Sequence, residues 1–486
     1  MRPNKLPERV YLAVVLLALL ACLPALFVPL GLSAEGDAVD YRVPLLKWIL
    51  RHHALPDWRW TFVDDYPLLG DLLMLPFVAV KPELARVVSI TAYFAAAAFG
   101  AGVGVELSPP AARRPLFLFY FAGLLGLRPL VVPATLVMVD NVATAFALGA
   151  LYFLLRRSYD RSAALLACAL ATRYTIWGAA PGALLAYWQL EKPHAGRLVR
   201  YAAIAACGAL PFLVRNALLN GNPLFPLANG FFGSAPVAAF DGWGRGKGLT
   251  ALALFPLDLL YTNTFVREIY NTLAEPGSFF TYYLGAASYA QLAACLAALA
   301  GAPRSVLLAG RTLASDRRVQ ATLLFGGAHF FAWWFGSQQL RFLGCGLVLL
   351  SLAWLGPIYF RAPHAALPPL VAVLSLGTVA RVEQESWRIA LGRAESNRNG
   401  PLAASAARCF ARAQIPAHAV LGLPDRGAFL AYFDYDFVFL PGNNLFFGSV
   451  PAADFVYSAF GAAEIPAGYE PWPPEHPCLY RSAASR

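Results

Sequence analysis

Long apolar runs follow one another along this chain, separated mostly by short polar gaps, and the clearest cover residues 10–32, 86–105, 129–155 and 341–360. A helix of such length crosses about 30 Å of hydrocarbon. The runs are continuous and do not alternate residue by residue, which selects helices over barrel strands, the only two structures that satisfy their backbone in lipid. The pattern predicts about eleven transmembrane helices. They fall near residues 10–32, 86–106, 115–132, 138–156, 162–177, 178–190, 200–214, 286–302, 319–336, 341–359 and 366–381. Two long loops, 33–85 and 215–285, interrupt the series. The first run follows Arg2, Lys5 and Arg9, as a signal peptide would. It reads as a retained helix, because it exceeds a typical signal core and Leu26–Leu32 and Glu35 occupy the place of a cleavage site.

Beyond residue 381 the pattern changes. The segment 382–486 is charged and punctuated by Gly and Pro. Residues 402–414 predict a helix, as do Asp425–Tyr432. Ala419–Leu423, Phe437–Leu440, Phe455–Tyr457 and Cys478–Tyr480 predict short strands. The expected architecture is an all-α polytopic membrane domain, residues 1–381, with outer loops 33–85 and 215–285. A small soluble extracytoplasmic α/β domain, residues 382–486, follows it.

Composition agrees with the periodicity. Of 486 residues, 58% are hydrophobic and only 14% charged, where soluble domains carry roughly 25% charged residues. The mean hydropathy is +0.54. A soluble globular enzyme is excluded. The net charge of +10 is unevenly placed. Basic residues collect in every second gap: Arg2, Lys5 and Arg9; Arg113 and Arg114; Arg156, Arg157 and Arg161; Lys192, Arg197 and Arg200; Arg304, Arg311, Arg317 and Arg318; and Arg361. Cytoplasmic loops collect Lys and Arg. The reading is therefore a multi-pass protein of the inner (plasma) membrane with a cytoplasmic N-terminus. Both long loops and the tail lie on the periplasmic or extracellular side. The charge reports topology and bilayer contact; no basic stripe with interleaved aromatics marks a nucleic-acid partner.

Of seven cysteines, Cys22, Cys168, Cys207, Cys295 and Cys345 lie in apolar runs, and no pair has zinc spacing. Cys409 and Cys478 lie in the tail, where a disulfide and two unpaired thiols both remain open.

Polar residues at membrane depth are functional hypotheses, and here topology gathers them on the outer face. The first loop opens with Asp37 and Asp40. An amphipathic stretch, Leu45–Leu50, follows with Lys47, Arg51, His52 and His53. Next come Asp64, Asp65, Tyr66 and Asp71, in an apolar segment 68–80 that reads as an interfacial helix. Asp140 starts one helix, Arg173 ends another, Arg215 and Asn216 end a third, and Arg341 starts a fourth. Acids can deprotonate a nucleophile or hold a metal. Arginines at helix ends can grip a phosphate. A site with both, at the edge of lipid, suits a substrate with a phosphate and an apolar tail. Plainer roles stand beside these. Asp140 and Asn141 are suited to capping a helix, Arg173 and Arg341 to snorkelling toward headgroups, His52 and His53 to solvation. The Asn-Gly-Asn-Pro segment at 220–223 is turn chemistry. Asp37 has no such plain role.

Three segments together resemble the GT-C superfamily of polytopic glycosyltransferases, near its protein mannosyltransferase and aminoarabinose transferase branch. They are GDAVDYRVPLLKWIL with DDYPLLGDLL; MVDNVATAFALGALYFLLRR; and RNALLNGNPLFPLANGFFG with QQLRFL. The resemblance covers roughly residues 1–380 and rests on the order of motifs and their shared outer side. It implies inverting transfer of a sugar from a polyprenyl-phosphate-linked donor to a glycan, lipid or protein acceptor at the outer face. Asp37 maps onto the general base, with Asp40 as the alternative. Arg173, Arg215 and Arg341 would stabilise the leaving phosphate. Asp71 and Asp140, with Asp65 and Tyr66 nearby, would orient the acceptor or hold a divalent cation (Mg or Mn). The chain departs from the family where Ala38 follows Asp37 in place of an acid and Arg42 replaces a common His after the Tyr; Arg42 would itself reach phosphate. Against a lipid-linked glycan flippase stand the nearly charge-free helix interiors and the lack of an inverted repeat. A scaffold role predicts no effect from changing Asp37.

Overall fold

The computed structural model describes residues 6–28, 30, 38–55, 67–108, 113–225, 229–233, 315–335, 343–361, 366–391, 409–411, 415, 420–423, 436–439, 455–456, 469–472 and 479–482. Helix α1 spans Leu6–Cys22 and passes into a 3-10 turn, Leu23–Leu26, where Pro24 removes a donor. A single π-helical turn, Ala38–Arg42, leads into α2, Val43–His52. The expected interfacial helix at 68–80 is two single turns, Leu69–Leu72 and Leu75–Val78. Then follow α3 (Arg86–Glu106), α4 (Arg113–Leu125), α5 (Arg128–Ala134), α6 (Asp140–Leu155), α7 (Tyr159–Leu170), α8 (Ala179–Glu191) and α9 (Ala195–Asn220). Further on stand α10 (Arg317–Phe335), α11 (Gly344–Arg361), α12 (Leu367–Val382) and α13 (Gln384–Ala390).

A helix therefore stands at each expected span except 286–302, which lies outside the described residues. Their lengths differ from expectation. By length and composition, three described stretches can cross a membrane: Pro7–Leu26, Pro82–Glu106 and Ala195–Asn220. The α4–α5 pair, bent by 70°, makes a fourth if it is one span. The apolar runs at 162–177 and 178–190 form helices of only 12 and 13 residues, each reaching about 18–20 Å at 1.5 Å per residue. The molecule is an integral membrane protein, and the expected count of eleven spans is not reached among the described residues.

The chain folds into two compact units. The first comprises Met1–Phe27, Arg86–Ala209 and Trp243–Leu391. Its core is a helix bundle in which α3 packs along α4 and α6, α8 along α10, and α1 against α4 and α12. Small residues permit the close approaches. A Cβ on Gly182 of α8 would stand 2.9 Å from the Phe325 backbone of α10, and one on Gly208 of α9 would overlap the Ala167 carbonyl.

The second unit comprises Val28–Ala85, Leu210–Gly242 and Gly392–Arg486. Those segments fall mostly in the long loops and tail that charge alternation assigned to the outer side. The tail contains a five-stranded sheet in the order β2-β1-β3-β5-β4. The strands are β1 (Val420–Leu423), β2 (Asp436–Phe439), β3 (Phe455–Val456), β4 (Tyr469–Trp472) and β5 (Leu479–Ser482). β1 pairs in parallel with β2, Leu421 opposite Phe437, and with β3, Leu421 opposite Phe455. β5 runs antiparallel to β3 and β4. Parallel neighbours require crossover connections. The helix expected at 425–432 lies outside the described residues, as does most of that at 402–414, where residues 409–411 are described and begin at Cys409. Cys409 is disulfide-bonded. Its expected partner, Cys478, lies outside the described residues.

Candidate functional site

Two arginine–carboxylate pairs join residues that the sequence marked, one pair within each unit. In the first unit, Asp140 is the first residue of α6 and Arg173 follows the end of α7. The backbone at Arg173 is extended (φ −163°, ψ 139°) between α7 and a 3-10 turn, Tyr174–Ile176. Two side chains satisfy the carbonyls that α7 leaves open at its C-terminus. Thr172 Oγ1 donates to the Cys168 carbonyl at 2.7 Å, and Trp177 Nε1 to the Leu170 carbonyl at 2.8 Å. Arg173 Nη1 stands 3.4 Å from Asp140 Oδ1, the two side chains 14% and 2% exposed.

Asp140 does not cap its helix. Val139 occupies the N-cap position without a side-chain hydrogen bond. Neither Asp140 oxygen accepts a hydrogen bond among the described residues. The carboxylate is instead stabilised by the positive end of α6 and by the guanidinium. Burying a charge is costly unless it is paired, and Asp140 is paired with Arg173.

In the second unit Arg42 ends the π-helical turn and Asp71 lies in the turn Leu69–Leu72. Arg42 Nη1 donates to Asp71 Oδ1, with both side chains buried. The guanidinium carbon sits 5.3 Å from the Tyr41 ring centroid. Thus Arg42, expected at phosphate, and Asp71, expected at acceptor or metal, engage each other.

The remaining candidates are placed as follows. Asp40 lies within the π-helical turn. Arg215 is half-buried on α9, and Asn216 is fully buried, its Nδ2 donating to the Phe225 carbonyl at 3.0 Å across the Asn-Gly-Asn-Pro turn. Asp37, Asp65, Tyr66 and Arg341 lie outside the described residues. No group of three or more His, Cys, Asp or Glu that could hold a metal occurs among the described residues. Both candidate carboxylates that are described already face a guanidinium, which opposes a cation at either.

Acids in the basic gaps are used differently. Glu106 faces Arg156 at 3.9 Å and Arg318 at 3.6 Å, Glu191 faces Arg157 at 3.2 Å, and Asp160 faces Arg200 at 2.8 Å. The arginines in these pairs are exposed, and such pairs contribute little.

Sequence reasoning passed over one buried polar cluster in the first unit. Glu383, between α12 and α13, is fully buried and accepts a hydrogen bond from Thr135 Oγ1 at 2.9 Å. Burial pushes its carboxyl up to about 7, against the opposing pull of Thr135, Ser386 and the Arg86 charge. Arg86, also buried, donates from Nη1 to the Ala25 carbonyl. An arginine opening a 21-residue apolar helix was the one legible signal of this cluster.

No family model and no curated protein matches the chain. Solved structures do. The crystal structure of ArnT from Cupriavidus metallidurans in the apo state aligns with a TM-score of 0.55 and 15% identity, covering 88% of this chain and 85% of that one. The crystal structure of the same protein bound to undecaprenyl phosphate aligns with a TM-score of 0.53 and 15% identity, covering 91% and 87%. The chain is thus similar in fold to ArnT over most of its length.

Proposed function

We propose that this chain, with its ArnT-like GT-C fold, is a membrane glycosyltransferase that takes a sugar from a polyprenyl-phosphate-linked donor and gives it to an acceptor at the outer face of the inner membrane. The observation that carries this reading is the fold likeness, which spans 91% of the chain, to ArnT bound to undecaprenyl phosphate. In the proposed step Asp37 takes a proton from the acceptor hydroxyl, with Asp40 as the alternative base. The acceptor oxygen attacks the anomeric carbon, the bond from that carbon to the phosphate oxygen breaks, and the configuration inverts. The electron pair leaves on the lipid phosphate. Arg173 meets this charge in the proposal, with Arg215 and Arg341 as further candidates; arginine matches phosphate geometry with two parallel donors. Asp140 keeps Arg173 oriented, and its open oxygens suit the hydroxyls of a sugar. Asp71 holds Arg42. Asp65 and Tyr66 remain acceptor candidates. No step in this scheme passes through a metal ion.

Undecaprenyl phosphate is the probe for the donor half of this proposal. Wild-type protein in nanodiscs is expected to bind it with a Kd that Arg173→Ala raises about tenfold or more, the order of a charge-assisted contact. Arg173→Lys is expected to recover only part of the loss, because lysine lacks the planar fork. Wild-type protein that does not bind the lipid, or an Arg173→Ala variant that binds it equally well, contradicts the reading.

A further inference from the structure

The backbone leading into Asp140 has no regular structure, yet it is held at three places. Residues 135–139 connect α5 to α6 as turn and bend. In the middle, Ser89 on the first turn of α3 reaches across to Met138: its hydroxyl donates to the Met138 carbonyl at 3.0 Å and lies 3.3 Å from the Met138 amide. At the N-terminal end, Thr135 Oγ1 donates to Glu383 Oε1 at 2.9 Å. At the C-terminal end, Asn141 Nδ2 donates to the Leu130 carbonyl at 2.7 Å, tying α6 to α5. Ser89, Asn141 and Glu383 are 0%, 1% and 0% exposed.

A serine inside a helix ordinarily bonds back to its own i−4 carbonyl. Ser89 instead serves another segment, on both the donor and the acceptor side of one residue. The position it fixes is two residues before Asp140. That carboxylate accepts no hydrogen bond among the described residues, so its placement depends on its backbone and on the ion pair at 3.4 Å.

We propose that Ser89 is a positioning residue for the Asp140–Arg173 pair, acting through the Met138 backbone, with Asn141 and the Thr135–Glu383 bond fixing the two ends of the same turn. The proposal rests on the reading that this pair serves a lipid-phosphate donor. The simpler alternative is that Ser89 merely satisfies buried backbone groups, and the two make different predictions.

A double-variant cycle with undecaprenyl phosphate separates them. Asp140→Asn is expected to raise the Kd about tenfold and Ser89→Ala about fivefold, within the usual range of coupling between contacting residues. Ser89→Thr keeps the hydroxyl and is expected to stay within about twofold. If Ser89 acts through Asp140, the double variant Ser89→Ala with Asp140→Asn binds no more weakly than Asp140→Asn alone. An unchanged Kd in Ser89→Ala, or losses that multiply in the double variant, overturns the proposal. Ser89→Cys, similar in size with a weak donor, takes the place of Ser89→Ala should the latter not fold. A cryo-EM structure of the Ser89 variant reads the same claim without ligand. The Asp140–Arg173 separation is expected to open beyond about 4 Å, the limit of an ion pair, and a separation still at 3.4 Å refutes positioning. Wild-type protein that fails to bind the lipid contradicts the donor reading alone; the structural test still decides the role of Ser89.

Discussion

Asp140 and Glu383 are both buried acids at the ends of apolar helices in the same unit, and they are held differently. Asp140 sits at a helix N-terminus, where the helix dipole favours its charge, and its oxygens accept no hydrogen bond among the described residues. Glu383 stands between the C-terminus of α12 and the N-terminus of α13; its Oε1 accepts the Thr135 hydroxyl, its Oε2 accepts no hydrogen bond among the described residues, and the Arg86 charge acts on it. Glu383 has one hydrogen-bonded oxygen within the fold, and Asp140 has none among the described residues. An acid at the end of an apolar run therefore does not announce its role; the partners around it do.

This comparison can be broken by substitution. The largest effect on stability is expected from Glu383→Ala, which empties a fully buried site and strands the Thr135 hydroxyl. A stranded buried hydroxyl and the cavity left by the side chain together cost roughly 3–5 kcal/mol, which a clear fall in the apparent Tm in detergent would report; a wild-type Tm denies Glu383 its structural role. Next is a pH effect. Glu383 is raised to about 7 in the folded protein, above the ordinary carboxylate range, so the folded state holds this proton more tightly than the unfolded chain. The stability it contributes is full at acid pH and is lost as the pH rises through about 7, on the order of 3 kcal/mol in total. Glu383→Gln is expected to flatten that part of the Tm profile between about pH 5 and 8; profiles that run parallel contradict the assignment. The smallest stability change is expected from Asp140→Asn, roughly 1–3 kcal/mol, since the similar-sized amide leaves no cavity but no longer offers Arg173 a charge at 3.4 Å, and lipid binding suffers. A loss as large as that of Glu383→Ala would erase the distinction between the two acids.

Much of the helical framework was legible because apolar runs interrupted by arginines leave few alternatives. The breaks inside runs were less so. Pro76, which has no amide to donate across the break, separates the expected interfacial helix into two turns, and the run at 162–177 stops at Leu170, where Trp177 closes the helix end. In the tail, β1, β2, β3 and β5 lie on the predicted strands, while β4, Tyr469–Trp472, carries Glu470 and Pro471 and lacks the β-branched pattern that marks a strand. At the site, motif order marked Asp140 and Arg173 but could not pair them, since their contact is set by tertiary packing. Glu383 was invisible for the same reason: its partners Thr135 and Arg86 are far away in sequence. Peptide mapping without reductant addresses the tail, where the Cys409 disulfide is expected to join Cys478.

The most direct test of the central claim is mass spectrometry of envelope lipids and glycans from cells that carry the wild-type protein, the Asp37→Asn variant or none. The account predicts a sugar modification that is present with the wild type and absent without the protein. With Asp37→Asn, expressed at a normal level, it falls by roughly 10²–10⁴ in rate, the usual contribution of a positioned base. Identical lipid and glycan profiles in all three, or full modification with Asp37→Asn, would contradict it.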